Sequence, residues 1–250
     1  MNPVLALAAA TLAVLVGVLV LRAHQTRIGW LLVVHGVSFG ALLTFSAPAT
    51  GGATLAVDQV ASGSWVFLFV WLAVIAYLLP DGHTASRFWR RWVIGGLIGV
   101  LLFLVGAAGD AEGFRADHEG ADPPLPWLPG PVSGVLGMLG LIATYALLIG
   151  SVFAVRSRLR GAAGDERLQL LWLVWGATSL PVALALVWVG YFGFGDNAVV
   201  VDAAVLLAGT ALPVTIGIAI LRHRLFDIQL VLSRTLVYGV LVAAVVAVYA

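Results

Sequence analysis

The chain has 250 residues, of which 62% are hydrophobic and only 10% are charged, and its formal net charge is +1. A soluble domain of this length needs far more charge to cover its surface, so the composition excludes that class and predicts a membrane protein with several spans. The absence of cysteine excludes disulfides, thiolate metal sites and cysteine nucleophiles. All thirteen basic residues are arginine, which also excludes a lysine Schiff base and a P-loop lysine.

The amino-terminal stretch, MNPVLALAAATLAVLVGVLV, is apolar but lacks the basic segment with which a signal peptide begins. The first basic residues, Arg22 and Arg27, follow it. This arrangement favours a retained first span whose amino terminus faces outside.

Apolar runs close to the bilayer-crossing length of about 20 residues recur along the chain. We expect helices because a backbone in lipid must satisfy its own hydrogen bonds, and continuous apolarity argues against an outer-membrane barrel. The expected fold class is therefore all-α, with seven complete transmembrane helices and a truncated eighth. The seven runs are residues 4–21, 28–45, 65–79, 92–108, 132–155, 168–189 and 198–221, and the eighth begins near residue 236 and is cut off at residue 250.

The connectors between these runs alternate in charge. Twelve of the thirteen arginines lie in the first, third, fifth and seventh connectors, whereas the fourth holds five carboxylates and one arginine. An excess of arginine marks cytoplasmic connectors. The pattern predicts a multi-pass protein of the cell membrane in which odd-numbered connectors are cytoplasmic and even-numbered connectors face outside.

The fourth connector, residues 109–131, is acidic at first and then rich in proline. The proline cluster, DPPLPWLPGP, prevents a regular helix and favours extended or turn structure. Two interpretations stay open: a partly ordered flap whose Trp127 and Leu128 rest on the membrane surface, and a solvated loop.

Two ionisable residues within the expected spans are candidates for ligand sensing, because such groups are costly in a membrane and are usually functional. His35 lies near the middle of the second span, and Asp202 lies about one turn inside the seventh, on its outer side. The structural alternatives are a neutral His35 that bonds a hydroxyl such as that of Ser38 or Thr44, and an Asp202 that reaches the outer interface.

The sequence holds no catalytic triad, no nucleotide-binding loop and no set of histidines and acids at metal-ligand spacing. We therefore expect neither a catalytic residue nor a metal in this chain. Pro181 and Pro213 lie within the sixth and seventh spans, where they are expected to kink helices rather than to form sites.

Two charged segments carry a family resemblance. LLPDGH at residues 78–83, followed by SRFWR at 86–90, resembles the LFPDGR…SxRWR element at the inner end of a span in multi-span sensor histidine kinases of the actinobacterial type. LRHRLFDIQLVLSRTLVYG at 221–239 resembles the RYRLYDIDxVINRTLVYG element of the same family. The departures are mild and concern His83 for arginine, Gln229 for aspartate, and Leu232 and Ser233 for isoleucine and asparagine.

The resemblance implies a seven-helix sensor bundle at residues 1–221, a cytoplasmic connector at 222–235 and the start of an eighth span at 236–250. The connector is moderately amphipathic, which suits the inner membrane surface. The residues expected to transmit the signal through it are Arg222, Arg224, Asp227 and Arg234. The cytoplasmic loop motif comprises Pro80, Asp81, Gly82 and Arg87.

By the same resemblance, the chain is the input half of a sensor histidine kinase. ATP and a response regulator are then expected to bind kinase domains that are missing from this chain. The chain itself is expected to hold no cofactor, to contact the lipid bilayer but no nucleic acid, and to form a homodimer. A stand-alone transporter or lipid-handling protein is the alternative, which requires His35 and Asp202 to converge on a closed polar cavity. A bare structural subunit is a third interpretation.

Overall fold

A computed structural model describes residues 3–22, 26–44, 52–193 and 198–223, and its regular secondary structure within these ranges is helical. The prediction of an all-α fold is confirmed for this part of the chain. The α-helices in these ranges are α1 (Pro3–Arg22), α2 (Thr26–Thr44), α3 (Gly52–Ala61), α4 (Phe67–Leu78), α5 (Arg87–Ala108), α6 (Ala111–Asp117), α7 (Gly130–Arg158), α8 (Gly164–Trp188) and α9 (Ala198–His223). A 3-10 turn at Ser64–Val66 precedes α4, and a π-helical turn at Val189–Gly193 follows α8.

Most of the predicted connector falls beyond these ranges. Arg224, Asp227, Arg234 and the expected eighth span lie outside the described residues. Arg222 belongs to the last turn of α9, but its side chain also lies outside what the structure describes.

The number of membrane crossings differs from the sequence prediction. Four helices in the described ranges are long and apolar enough to cross a membrane: Arg87–Ala108, Gly130–Arg158, Gly164–Tyr191 and Val199–Ala219. The segments Thr54–Ala61 and Ser64–Leu78 pass the same test only as a pair, which is bent by 47°. The apolar stretches at Leu7–Arg22 and Arg27–Ala41 are shorter. Helix length and composition in the described residues therefore support four crossings, or five with the bent pair, and not seven.

Two short helices, α3 and α6, lie in connectors where none was expected. α6 follows Asp110, whose Oδ1 accepts the N–H groups of Glu112 and Gly113, each at 3.2 Å. An aspartate in this position caps a helix by satisfying backbone donors that have no partner within the helix. The proline cluster begins only after α6 ends, so it excludes a helix from the second half of the connector alone.

α4 lies at the centre of the helix bundle. Its sequence, FLFVWLAVIAYL, has no charged residue, and eight of its residues are buried. A helix that is apolar on all sides must be surrounded by other elements or by lipid. α4 packs against α2, α7, α8 and α9, while α1 pairs with α2, α5 with α7 and α8 with α9 around it.

The outward faces of the long helices are apolar. In the most apolar stretch of each of the four, only 28% to 44% of the residues are buried inside the protein. The exposed remainder of α7 includes Val135, Met138, Leu139 and Ile142. Keeping a side chain of this size in water forgoes roughly 1.5–3 kcal/mol relative to burial, so lipid is the medium that suits these faces. They identify a membrane protein.

Candidate functional site

Contacts between connectors define two ends of the helix bundle. At one end, the α4–α5 connector meets the last turn of α7 through Asp81 and Arg158. At the other, α3 meets the α6–α7 connector through Gln59 and Leu125. The basic end carries Arg87, Arg90, Arg91, Arg156, Arg158 and Arg160, and the acidic end carries Asp58, Asp110, Glu112, Asp117, Glu119 and Asp122. The third and fifth connectors therefore share one end, and the second and fourth share the other, as the alternation of charge requires.

The loop motif at the basic end forms a tight turn between α4 and α5. Leu79 is fully buried, and the peptide bond between Leu79 and Pro80 is cis. Gly82 has a φ of 76°, which favours glycine, and its N–H donates to the Leu78 carbonyl at 2.7 Å. The N–H of His83 donates to Oδ1 of Asp81 at 3.2 Å. The motif is thus a folded turn that presents the Asp81 carboxylate at a fixed position.

Arg158 binds this turn from α7. Its Nη1 donates to Oδ1 of Asp81 at 3.0 Å, and its Nη2 donates to the His83 carbonyl. The Arg158 side chain is only 16% exposed, whereas that of Asp81 is 58% exposed. One guanidinium therefore joins the α4–α5 connector to the end of α7 through two acceptors. We call this contact the basic-end latch.

The latch changes the acidity of Asp81. Partial burial by itself would raise the pKa of the carboxyl, but the N–H of His83 and the charge of Arg158 outweigh burial, so the pKa lies below its ordinary value. The carboxylate is consequently ionised throughout the neutral range and stays paired with the guanidinium.

The structure brings three of the four loop-motif residues to the latch. Pro80, Asp81 and Gly82 build the turn, but Arg87 is exposed at the first position of α5, behind the N-cap Ser86. Arg158 was not predicted as part of the site, because in the sequence it is one of several arginines of the fifth connector. A usable signal existed, because Asp81 is the single acid of the third connector and both connectors were assigned to one side.

His35 lies completely buried between α2 and α9. Its Nε2 lies 3.3 Å from the carbonyl oxygen of Gly209, so Nε2 carries the proton and donates. Its Nδ1 is buried and finds no hydrogen-bond partner among the described residues. The partner of the ring is therefore a backbone carbonyl of α9 rather than the hydroxyl of Ser38 on its own helix.

Pro213 explains why that carbonyl is available. In a regular helix the N–H of residue 213 would bond the carbonyl of residue 209, four positions earlier. Pro213 has no N–H, so the Gly209 carbonyl lacks its helical donor and accepts one from His35 of α2 instead. Gly209 also permits the close approach of α2, since a Cβ there would fall 3.0 Å from Cζ of Phe39.

Asp202 lies on α9, the helix whose Gly209 carbonyl binds His35. It lies seven residues before Gly209 on α9, which places the two on the same face but about 10 Å apart along the helix axis. Asp202 is half-buried. The two predicted sensing residues therefore meet α9 at different levels: His35 at Gly209, and Asp202 about 10 Å away along the helix axis.

An apolar cavity of about 370 Å³ lies where α4, α8 and α9 meet near the acidic end. Four of its lining residues are aromatic: Trp65, Phe69, Trp188 and Tyr191. The sequence did not predict this cavity, because Trp and Tyr near a membrane interface are equally typical of an aromatic belt. The π-helical turn that carries Tyr191 gave no sequence signal.

At the acidic end, Gln59 fastens the fourth connector, residues 109–131, to the bundle. Its Nε2 donates to the carbonyls of Ala108 and Leu125 at 3.1 and 3.2 Å, and its Oε1 accepts the Leu125 N–H at 2.8 Å. His118 lies 3.6 Å from a carboxylate oxygen of Asp58. These contacts show an ordered connector, which was one of the two interpretations.

The two residues expected to rest on the membrane differ in environment. Leu128 is half-buried and its N–H donates to the Gly109 carbonyl at 2.9 Å, so it closes the connector onto the end of α5. Trp127 is 51% exposed, and the guanidinium carbon of Arg115 lies over its ring, 5.8 Å from the ring centre. Contact of Trp127 with a membrane surface stays a prediction.

The described residues contain no group of three histidine, cysteine, aspartate or glutamate side chains that could hold a metal ion. Comparison with protein-family models, with curated proteins and with solved structures finds no match to this chain.

Proposed function

We propose that this chain is the membrane input region of a sensor histidine kinase, which passes a signal from the envelope or the membrane to cytoplasmic kinase domains beyond residue 250. The resemblance of segments 78–90 and 221–239 motivates the proposal. The contact between His35 and the Gly209 carbonyl carries it, because this contact joins a buried ionisable residue of α2 to the helix that runs into the second segment.

In this proposal α9 is the output helix. It packs against α1, α4 and α8, and its proline-freed carbonyl is held by α2. A signal that shifts the packing of α2 would strengthen or release the bond to Gly209 and would move the half of α9 that follows Pro213. A ligand can produce such a shift only if it binds one arrangement more tightly than the other. Asp202 and the α9 residues that line the aromatic cavity lie in the half of α9 that precedes Pro213.

The proposed topology has seven crossings with the amino terminus outside. α1 and α2 have backbone lengths of 20 and 19 residues, close to a bilayer crossing. The basic-end latch and the Gln59 contacts put connectors of opposite charge at opposite ends of the bundle. This supports alternation along the chain, with the basic end in the cytoplasm of a cell whose membrane holds the protein.

The proposed partners follow from the resemblance. The connector at 222–235, with Arg222, Arg224, Asp227 and Arg234, would lie on the inner membrane surface and pass the motion of α9 to a homodimeric kinase region. That region would bind ATP and phosphorylate a response regulator. The roles of the described residues would be packing and transmission rather than catalysis.

The test is autophosphorylation of the full-length protein in lipid vesicles with radiolabelled ATP. We expect acid-labile histidine phosphate in the wild type. His35→Ala should change the basal rate by about twofold to tenfold, because a hydrogen bond contributes about 0.5–1.5 kcal/mol to the balance between two arrangements. Ser38→Ala, one turn away on α2, should leave the rate nearly unchanged. A reading frame without kinase domains, or the absence of histidine phosphate, would refute the proposed function.

The transporter alternative has less structural support, since Asp202 lies about 10 Å along α9 from the carbonyl that binds His35. It still makes a distinct prediction. Asp202→Asn and His35→Ala would each abolish uptake of a solute into vesicles while leaving insertion intact, and neither would affect phosphorylation.

A further inference from the structure

An open groove runs along the boundary between α5 and α7 at the basic end. Its volume is about 460 Å³, within the range of small-molecule sites. Its lining residues are Phe88, Arg91, Trp92, Gly95 and Gly96 of α5 and Ala143, Ala146 and Leu147 of α7. The α5 positions recur at helical spacing, so the groove follows the helix for about 12 Å, the rise of eight residues.

The groove opens toward lipid. Ile94, Ile98 and Leu101 of α5 are each at least half exposed on the outer surface of the bundle. Gly95 leaves open space in the groove, because a Cβ at that position would meet no atom within 4 Å. Gly95 thus leaves part of the groove open beside the packed helices.

The mouth of the groove is positively charged. Arg91 is exposed there, and none of the eight lining residues is acidic. The first turn of α5 also lacks an acid, and Asp81 of the preceding connector is already bound by Arg158. No carboxylate of the groove therefore offsets the charge of Arg91.

Aromatic side chains indicate at which level of the membrane the mouth of the groove lies. Phe88 is 60% exposed, and its ring lies 5.9 Å from that of Trp92 in a tilted arrangement. Exposed aromatic residues next to arginine are typical of the headgroup level of a membrane. Arg91 is thus placed where lipid phosphates lie, and Gly95 is placed where acyl chains begin.

We propose that this groove binds an anionic phospholipid, with its phosphate on Arg91 and one acyl chain along Gly95, Gly96 and Ala143. A guanidinium matches the geometry of a phosphate and can bind two of its oxygens. A zwitterionic headgroup adds a cation for which the lining offers no acid, so the groove favours a lipid with net negative charge. The site stands independently of the proposed kinase function.

The proposal is tested by native mass spectrometry of the whole chain in neutral detergent, titrated with phosphatidylglycerol or phosphatidylcholine. We expect one phosphatidylglycerol to bind about fivefold more tightly than phosphatidylcholine, the preference that one arginine near the headgroup supplies. Arg91→Gln should remove this preference. Arg90→Gln, on the same turn but outside the groove, should preserve it within about twofold, which is the matched control for charge.

Gly95→Leu tests the acyl-chain half of the site. The added side chain fills open space in the groove, so the helices keep their packing. We expect weaker binding of both lipids, with unchanged elution on size exclusion. Equal affinity of the wild type for the two lipids, equal effects of Arg91→Gln and Arg90→Gln, or unchanged binding in Gly95→Leu would overturn the proposal. Displacement of the lipid by millimolar inorganic phosphate would also overturn it, since that result indicates a phosphate site without a lipid.

Discussion

The Nε2 atom of His35 lies 3.3 Å from the carbonyl oxygen of Gly209, which is the carbonyl that Pro213 leaves without a helical donor. Two features that look unrelated in the sequence are thereby one unit. The proline creates a buried acceptor, and a histidine on another helix satisfies it. This relationship is specific enough to be tested by exchanging both residues.

A double-mutant cycle should show that His35 and Pro213 depend on each other. His35→Leu should lower the free energy of unfolding by about 1–3 kcal/mol, because it leaves the Gly209 carbonyl buried without a donor. In a Pro213→Ala background the helix supplies its own N–H, so the loss should be smaller by about 0.5–1.5 kcal/mol. Denaturant titration in mixed micelles measures both values. Equal losses in the two backgrounds would contradict the shared role.

The basic-end latch should make a small contribution to stability that depends on pH. Asp81→Asn should cost no more than about 1 kcal/mol at neutral pH, because the Asp81 side chain is 58% exposed and such pairs are screened by solvent. The pKa of Asp81 is lowered in the folded state. The contribution is therefore complete above the ordinary aspartate pKa of about 4 and is lost as the pH falls through the lower folded value.

Thermal unfolding of wild type and Asp81→Asn at pH 7 and at pH 2–3 measures this change. The difference between the two proteins should shrink at low pH. Arg158→Gln should cost more than Asp81→Asn at pH 7, since Arg158 also donates to the His83 carbonyl. A difference that grows on acidification would show that the latch does not stabilise the fold.

Gln59 should control the opening of the fourth connector, residues 109–131. Gln59→Leu removes all three hydrogen bonds to Ala108 and Leu125 and leaves the Leu125 N–H without its acceptor. We expect hydrogen exchange at Leu125 to rise by about 10- to 100-fold, corresponding to about 1–3 kcal/mol for such a loss. Ser62→Ala, which removes only a bond to the Gln59 carbonyl, is the control and should leave this amide protected.

Two glycines of α7 should respond differently to the same substitution. A Cβ at Gly140 would lie 2.6 Å from Cα of Phe103 on α5, whereas a Cβ at Gly134 would meet no atom within 4 Å. Gly140→Ala should therefore destabilise the protein by about 1–3 kcal/mol. Gly134→Ala should be neutral or stabilise by up to about 1 kcal/mol, because alanine is the better helix former. The difference between their unfolding free energies tests the packing of α5 on α7.

Orientation in the membrane is tested by single cysteines, since the chain contains none of its own. Cysteine in place of Ser62 or Ala116 should react in intact cells with an impermeant thiol reagent, and cysteine in place of Ala163 should not. All three positions are exposed in the structure, so burial does not explain a failure to react. If only the cysteine at position 163 reacts, the orientation in the membrane is opposite to the proposed one.

The sequence predicted the helical class and the membrane, because both depend on sums over local residues. Run length and apolarity set the cost of crossing a bilayer. The same properties did not give the number of membrane crossings correctly. Seven were expected, but only four of the described helices are each long and apolar enough to cross a membrane. These properties also missed α6, whose start depends on one side chain, Asp110, capping the backbone.

The candidate site was predicted only in part. Residues 80–82 do form a turn at one end, but their partner Arg158 lies 77 residues from Asp81. His35 is buried, and its partner lies 174 residues away on the backbone of another helix, while its role in sensing stays a prediction. Composition and residue spacing do not show which residues so far apart in the sequence come into contact.

The sequence by itself determined the helical class of the protein and which connectors are basic or acidic, because each residue contributes to those properties where it stands. Only the tertiary structure decided which arginine meets Asp81, which carbonyl meets His35 and which segment Gln59 binds. These choices depend on how each helix is rotated about its axis and how closely it approaches its neighbours. Both are set by the packing of the whole bundle around α4.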